Sequence, residues 1–306
     1  MIAEVGDSLA TIEMRIGIFG ATGFIGSALA NRLREREDEV VGFSRSQSGE
    51  GWRSSEGELD LSGLDAVVNL AGESVAIRWT AERKVRLEES RIGLTKRIVV
   101  ALERLPEGER PRVLLNSSAV GFYGDRGEEV LDEQAEKGEG YLAKLCADWE
   151  SAGNRTQELG VRLVFLRTGI VIGNGGDAWE RMKKVFQLGL GGRLGEGSQW
   201  MPWIHLEDQV EAMVHLLDHA DAAGAVNLVA PNPVRNAEWT SRLARAAKRP
   251  AFFHAPGFML KAALGGFSSA LLGSCRTAPA RLLEWGYEFR FPDLASAFAD
   301  LLKGRE

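Results

Sequence analysis

The chain is poor in the residues that build metal and disulfide chemistry. Its 306 residues include two cysteines, Cys146 and Cys275, and four histidines. Two thiols cannot make a disulfide framework or a four-ligand zinc site, and scattered histidines do not complete one, so no metal is expected. The same scarcity of cysteine reads as a reducing, cytoplasmic setting. Long apolar runs are missing too: no stretch approaches the ~18 apolar residues of a membrane span, and no membrane segment is expected. Nor is there a surplus of positive charge. Thirty-seven Lys and Arg stand against 43 Asp and Glu, a formal net charge of −6. With both signs mixed along the chain there is no extended basic surface for a phosphate backbone, which argues against nucleic acid as a partner. Residues 1–13 lack the basic start and apolar stretch of a secretory signal. They are expected to form a poorly ordered N-terminal tail, with the fold beginning at Met14.

What is present is an ordinary globular composition, 44% hydrophobic and 26% charged, long enough for one large α/β unit or two unequal lobes. Glycine stands out, at 36 residues, well above the usual ~7%. Many of these glycines fall at strand-to-helix junctions, where backbone must approach something closely.

The first such junction is the most informative. Arg15-Ile16-Gly17-Ile18-Phe19 is a short apolar run that breaks into Gly20-Ala21-Thr22-Gly23-Phe24-Ile25-Gly26, after which apolar residues recur at helical spacing. A dinucleotide site needs one glycine for the tight turn, one for approach to the pyrophosphate and one for packing helix on strand. The helix N-terminus then offers free N–H groups to the anion. Gly20, Thr22, Gly23, Phe24, Ile25 and Gly26 are therefore expected to hold a cofactor. The next strand ends in Ser44-Arg45-Ser46, about where an acidic residue would read the ribose 2′-hydroxyl of NAD. Arginine suits a 2′-phosphate instead, so NADP(H) is the expected cofactor; the alternative is that Arg45 is a solvated loop residue.

Asp60 lies in a short segment that could reach the adenine, and residues 65–72 read as a buried strand ending in Leu70, Ala71 and Gly72, small enough to leave room for the cofactor. Residues 79–102 read as one long helix with Thr80 as N-cap, its basic run a solvated face. Further strands are expected at residues 112–118 and 161–167. Strands alternating with helices imply an α/β fold, a Rossmann-like doubly wound parallel sheet. It is expected over residues 14–173, with 206–230 returning to it. Residues 174–205 and 231–306 form a smaller C-terminal substrate lobe. That lobe mixes glycine loops, tryptophans and arginines. Arg193 and Trp200 are candidates for an aromatic-walled pocket with one cation for an acidic ligand. An apolar stretch at residues 257–272, broken near Gly265, could close over the pocket or form a homodimer contact.

The glycine turn, Asn69-Leu70-Ala71-Gly72, Asn116-Ser117-Ser118 through Tyr123-Gly124, and Trp203-Ile204-His205 through Asp208 together resemble the extended short-chain dehydrogenase/reductase superfamily. Residues 77–84, 117–125, 189–200 and 227–234 are more specifically similar to a sugar-nucleotide-epimerase-like family that carries its own C-terminal domain of unknown function. This resemblance covers nearly all of residues 14–302. It implies that Arg167, Thr168 and Gly169 neighbour the nicotinamide end and that His205 and Asp208 form a structural corner. It also implies acid/base work by a Tyr-x-x-x-Lys pair, the lysine lowering the phenol's pKa, with a serine completing the relay. Here Tyr141 is followed by Lys144 at i+3 and Leu145 at i+4, and the serine position falls on Ala119 with Ser118 one residue early. Two readings stay open: Tyr141 and Ser118 act with altered geometry, aided by Lys144, or the relay has decayed and Tyr123 is the other phenol to weigh. The first gives an NADP(H)-dependent oxidoreductase or epimerase-like enzyme acting on a small carbonyl, hydroxyl or nucleotide-sugar-like substrate. The second gives a catalytically silent NADP(H)-binding protein that works through a protein partner.

Overall fold

The structure is a computed structural model that describes residues 13–303. The expected tail lies, but for Glu13, outside the described residues. Strand β1 (Arg15–Phe19) leads through the glycine turn into α1 (Phe24–Glu35), then β2 (Glu39–Ser44), β3 (Trp52–Ser54) and β4 (Ala66–Asn69). Helices α2 (Ala81–Glu88) and α3 (Leu94–Arg104) precede β5 (Val113–Ala119), followed by α4 (Tyr141–Gly153), β6 (Arg162–Thr168), α5 (Leu206–Asp218) and β7 (Gly224–Leu228). These seven strands form one sheet in the order β7-β6-β5-β4-β1-β2-β3, every neighbouring pair parallel. The expected Rossmann-like sheet is present. Its strand order reverses between β1 and β4, and in such sheets the crevice beyond the carboxyl ends at that reversal is where ligands bind.

Parallel strands covered on both faces read as continuous apolar runs, and every residue of β4 is buried. On one face Ile16, Ile18, Val68, Leu115 and Val164 pack with Leu29 and Leu33 of α1 and with Met213 and Leu217 of α5. On the other, Phe19, Val67, Leu114 and Leu163 pack with Ile98 and Leu102 of α3. Burying one such side chain contributes roughly 1.5–3 kcal/mol, which is what holds the strand ends at the crevice in register.

The long helix expected over residues 79–102 is interrupted. Thr80 caps it, its hydroxyl accepting from the Arg83 N–H at 3.2 Å. Between α2 and α3, however, Glu89–Gly93 form a π-helical turn. Apolar periodicity does not report one inserted residue, so the sequence pattern runs smoothly across it.

The remainder of the chain has a core of its own, with Trp179, Trp203, Trp239, Leu294 and Phe298. It is laced to the sheet-bearing part of the chain: Arg276–Thr277 pair in parallel with Val130–Leu131. The break near Gly265 is real, since Gly265 has φ +57° and ends the helix Gly257–Leu264. Phe252, Phe253, Phe258 and Met259 of this region are exposed. At the corner, the neutral Nδ1 of His205 accepts from the Glu207 N–H at 3.2 Å, capping α5, and Asp208 accepts from the backbone N–H groups of Arg290 and Phe291. No described helix is long and apolar enough to cross a membrane.

Candidate functional site

The glycine turn has the geometry its sequence promised. Gly20 has φ +83°, and a Cβ there would stand 3.0 Å from the backbone of Leu70 and Ala71. A Cβ on Gly26 would stand 2.1 Å from the Gly20 carbonyl oxygen, so only glycine lets α1 start this close to β1. Gly23 is the N-cap and supplies no side chain, which leaves the N–H groups of the first helical turn facing the crevice. Thr22 is exposed beside them and Ile25 half-buried. The Phe24 ring packs where side chains on Gly173 and Gly176 would go, 3.0 and 2.7 Å from the Cβ positions, tying the turn to the loop after β6.

At the end of β2, the Ser44 hydroxyl accepts from the N–H groups of Ser46 and Gln47, both at 3.1 Å, and folds the chain so that Arg45 is exposed. Asp60 is engaged locally, accepting from the Ser62 N–H and hydroxyl at 3.0 and 2.5 Å. The Ser62 hydroxyl holds its carboxyl below the ordinary value. Leu70, Ala71 and Gly72 leave β4 beneath the glycine turn, the Leu70 N–H donating to the Phe19 carbonyl at 2.9 Å. Thr168 ends β6 and Gly169 follows it; the Thr168 hydroxyl donates to the Leu166 carbonyl at 3.2 Å, and Gly169 packs under Pro202.

The proposed relay is not assembled as the resemblance implied. Lys144 points into solvent, its side chain 72% exposed and paired with Asp148 one turn on; it does not serve the Tyr141 phenol. Ser118 is buried, and its hydroxyl donates to Glu150 Oε1 at 2.7 Å. The same carboxylate accepts from Arg167 Nε and Nη2 at 2.9 and 2.8 Å. Arg167 Nη1 donates to the Tyr123 hydroxyl at 2.9 Å, and that hydroxyl donates to Asn227 Oδ1 at 2.7 Å. Ser118, Arg167 and Tyr123 are therefore links in one closed buried network, with Arg167 also stacked on Phe122 at 3.5 Å. Burial pushes the Tyr123 phenol up to about 12. Arg167 is neither a free cofactor neighbour nor Tyr123 a free acid, because their hydrogen-bonding capacity is consumed inside the fold.

Tyr141 stands apart from that network, at the first turn of α4. Its hydroxyl lies 3.4 Å from the Lys84 carbonyl, with the Lys84 ammonium 4.5 Å from the ring centre and Trp79 packed beside it. Burial, and secondly the Glu88 carboxylate, push its phenol up to about 12, opposite to the lowering a lysine partner would give. Both cysteines are buried, and burial raises Cys146 to about 12 and Cys275 to about 11, which leaves no reactive thiol between them. In the C-terminal lobe Arg193 is exposed. Trp200 is held rather than free: its ring lies between Arg235 and Arg276 at 4.7 and 4.6 Å, and its indole N–H donates to Glu128 at 3.1 Å.

Sequence reasoning missed Glu150 and Arg91. Glu150 was findable, since it continues the apolar stripe of Ala143, Cys146 and Trp149 on α4, where a carboxylate must have a buried partner. Arg91 sits in the basic run that reads as a solvated face, and no local signal separates it from its neighbours.

A doubly wound parallel sheet whose first turn is a glycine cradle defines a dinucleotide-fold protein of the epimerase and reductase kind. The comparisons narrow this. Residues 16–229 match the NAD dependent epimerase/dehydratase family, and residues 255–301 match a domain of unknown function, DUF1731. The chain belongs to that epimerase family. It is 38% identical over 291 residues to the epimerase family protein Mb2239 of Mycobacterium bovis, covering 92% of this chain and 95% of that one. It is 34% identical to a chloroplastic SDR39U1 homologue of Arabidopsis thaliana, over 95% of this chain and 87% of the relative. Among solved structures, the human epimerase family protein SDR39U1 (isoform 2) with NADPH superposes with a TM-score of 0.88 at 32% identity, over 94% of this chain and 99% of that one.

Proposed function

We propose that this protein is an NADP(H)-dependent oxidoreductase or epimerase-like enzyme acting on a small carbonyl or hydroxyl substrate at the carboxyl edge of the sheet. The observation that carries the reading is the Gly20–Gly26 cradle, where a single Cβ at Gly26 would stand 2.1 Å from a backbone oxygen. The human relative was solved with NADPH, and the exposed Arg45 after β2 suits the extra phosphate that distinguishes that cofactor. The residues fit the group: the turn's N–H groups would hold the pyrophosphate, Ser44 and Arg45 the 2′-phosphate, and Leu70 to Gly72 the face beneath it. Bound there, a nicotinamide supplies or accepts hydride.

The chain's own contribution to a proton step rests on Tyr141. With its pKa near 12, the phenol keeps its proton throughout the neutral range, so it serves as a neutral hydrogen-bond donor to a carbonyl oxygen rather than as a phenolate base. The experiment is NADPH oxidation against a panel of carbonyl compounds and nucleotide sugars, with Tyr141→Phe beside the wild type. Substrate-dependent oxidation that falls at least a hundredfold in the variant with NADPH affinity unchanged supports this role. Equal turnover removes Tyr141 from the mechanism, and a bound cofactor that reacts with nothing in the panel favours a non-catalytic nucleotide-binding protein.

A further inference from the structure

A second charged group lies at the same edge without an obvious reason to be there. Arg91 is carried by the π-helical turn Glu89–Gly93, and such turns, which widen a helix by one residue, recur at functional sites. The turn points the guanidinium across the end of β4. A Cβ on Gly72 would stand 3.2 Å from Arg91 Cζ and 3.3 and 3.4 Å from its two terminal nitrogens, so the planar group lies flat over the Gly72 Cα, and its Cζ is 5.3 Å from the centre of the Trp149 ring.

Its hydrogen bonds leave capacity over. Nη2 donates to the Glu73 carbonyl at 2.8 Å, whereas Nη1 reaches the Leu87 carbonyl and the Ser90 hydroxyl only at 3.4 and 3.3 Å. Of the five N–H donors of a guanidinium, the Nε hydrogen has no acceptor among the described residues. No carboxylate there forms an ion pair with it either: the neighbouring Glu73 carboxylate lies 3.5 Å from Arg83 instead. Burial lowers the Arg91 guanidinium from its ordinary value, and the Glu73 carboxylate, which makes no ion pair with it, opposes that shift only in part. Arg167 has its carboxylate in Glu150; Arg91 has none. Arg91 is half-buried, so a guanidinium with donors to spare faces the cleft without a carboxylate in contact and is open to an anionic ligand.

We infer that Arg91 binds an anionic group, a carboxylate or phosphate, on the substrate of this enzyme, so that the cleft selects acidic over neutral carbonyl compounds. The cofactor's pyrophosphate is the competing source of an anion. It is assigned to the first turn of α1, whereas Arg91 lies at the end of β4 on the side of Tyr141, whose phenol feels its positive charge. The planar fork suits two-point capture of a carboxylate, which a lysine would not reproduce. This inference rests on the NADP(H) reading above.

The test uses full-length protein saturated with NADPH and titrated with oxalate and, separately, inorganic phosphate, following tryptophan and nicotinamide fluorescence. Arg91→Met and Arg91→Lys are measured alongside. Saturable oxalate or phosphate binding that weakens at least tenfold in Arg91→Met and several-fold in Arg91→Lys, with NADPH affinity within twofold of wild type, supports the inference. The tighter of the two anions names the group. Absence of anion binding to the loaded wild type, or equal binding in both variants, overturns it. A tenfold loss of NADPH affinity in Arg91→Met also overturns it, because the guanidinium then serves the cofactor. Should Arg91→Met fail to fold, Arg91→Lys, which keeps the charge, decides alone. If wild type does not bind NADPH at all, the proposed function fails, and oxalate titration of the cofactor-free protein still tests Arg91.

Discussion

The two ends of helix α4 treat polar groups in opposite ways. Towards its C-terminus, Glu150 gathers Ser118 and Arg167, and Arg167 passes on to Tyr123 and Asn227, so that each group's partner is another part of the fold. At its N-terminus, Tyr141 makes one long contact to a backbone carbonyl, and Arg91, which packs beside the same helix at Trp149, lies without a carboxylate partner. A guanidinium and a phenol stand on each side of this comparison, so residue type does not separate structure from chemistry. What separates them is whether donors and acceptors are already spent. A saturated network stabilises and specifies the core; an unsaturated one is available to a ligand.

The largest effect belongs at the closed end. Glu150→Ala leaves the Arg167 guanidinium buried and unpaired, and a loss of about 3–5 kcal/mol is expected in denaturant unfolding. A loss under about 1 kcal/mol would mean that the network is not closed. His205 is buried too, and burial holds its pKa at about 4. An unfolded histidine takes up a proton below about 6.5, so unfolding binds protons between those values. Stability should therefore fall by up to ~3 kcal/mol as pH drops from about 6.5 through about 4. His205→Asn should flatten that slope when unfolding is followed by pH.

At the open edge, Arg45→Ala should cost ~1.5–3 kcal/mol of NADPH binding, ten- to a hundredfold, with little effect on NADH. An equal loss for both nucleotides would place Arg45 elsewhere than at the 2′-phosphate. The smallest effect should come from Lys144→Ala. Its side chain is solvent-facing and pairs only with Asp148, so neither melting nor turnover should change measurably, and a large loss of turnover would restore the lysine to the relay.

The sequence announced the sheet, the glycine cradle and the break at Gly265 because each is a local pattern: an apolar run, a turn that tolerates no side chain, a helix stop. The Ser118, Arg167 and Tyr123 assignments could not be settled that way. Their roles depend on partners distant along the chain, with Asn227 lying 104 residues from Tyr123. Lys144 illustrates the same limit at short range, since i+3 spacing put it near Tyr141 on paper, while Asp148 at i+4 offered a partner on the solvent side. Arg91 was hidden for another reason. The π-turn that aims it at Gly72 leaves no trace in the hydrophobic period, and it stands in one run with Arg86 and Lys96, which are exposed.

The most direct measurement is a fluorescence titration of the purified protein with NADPH and with NADH, wild type beside Arg45→Ala. Saturable binding with at least a tenfold preference for NADPH, erased by the substitution, is the expected result. Failure of either nucleotide to bind would contradict the account, for the Gly20–Gly26 cradle would then be a feature of the fold with no ligand to hold.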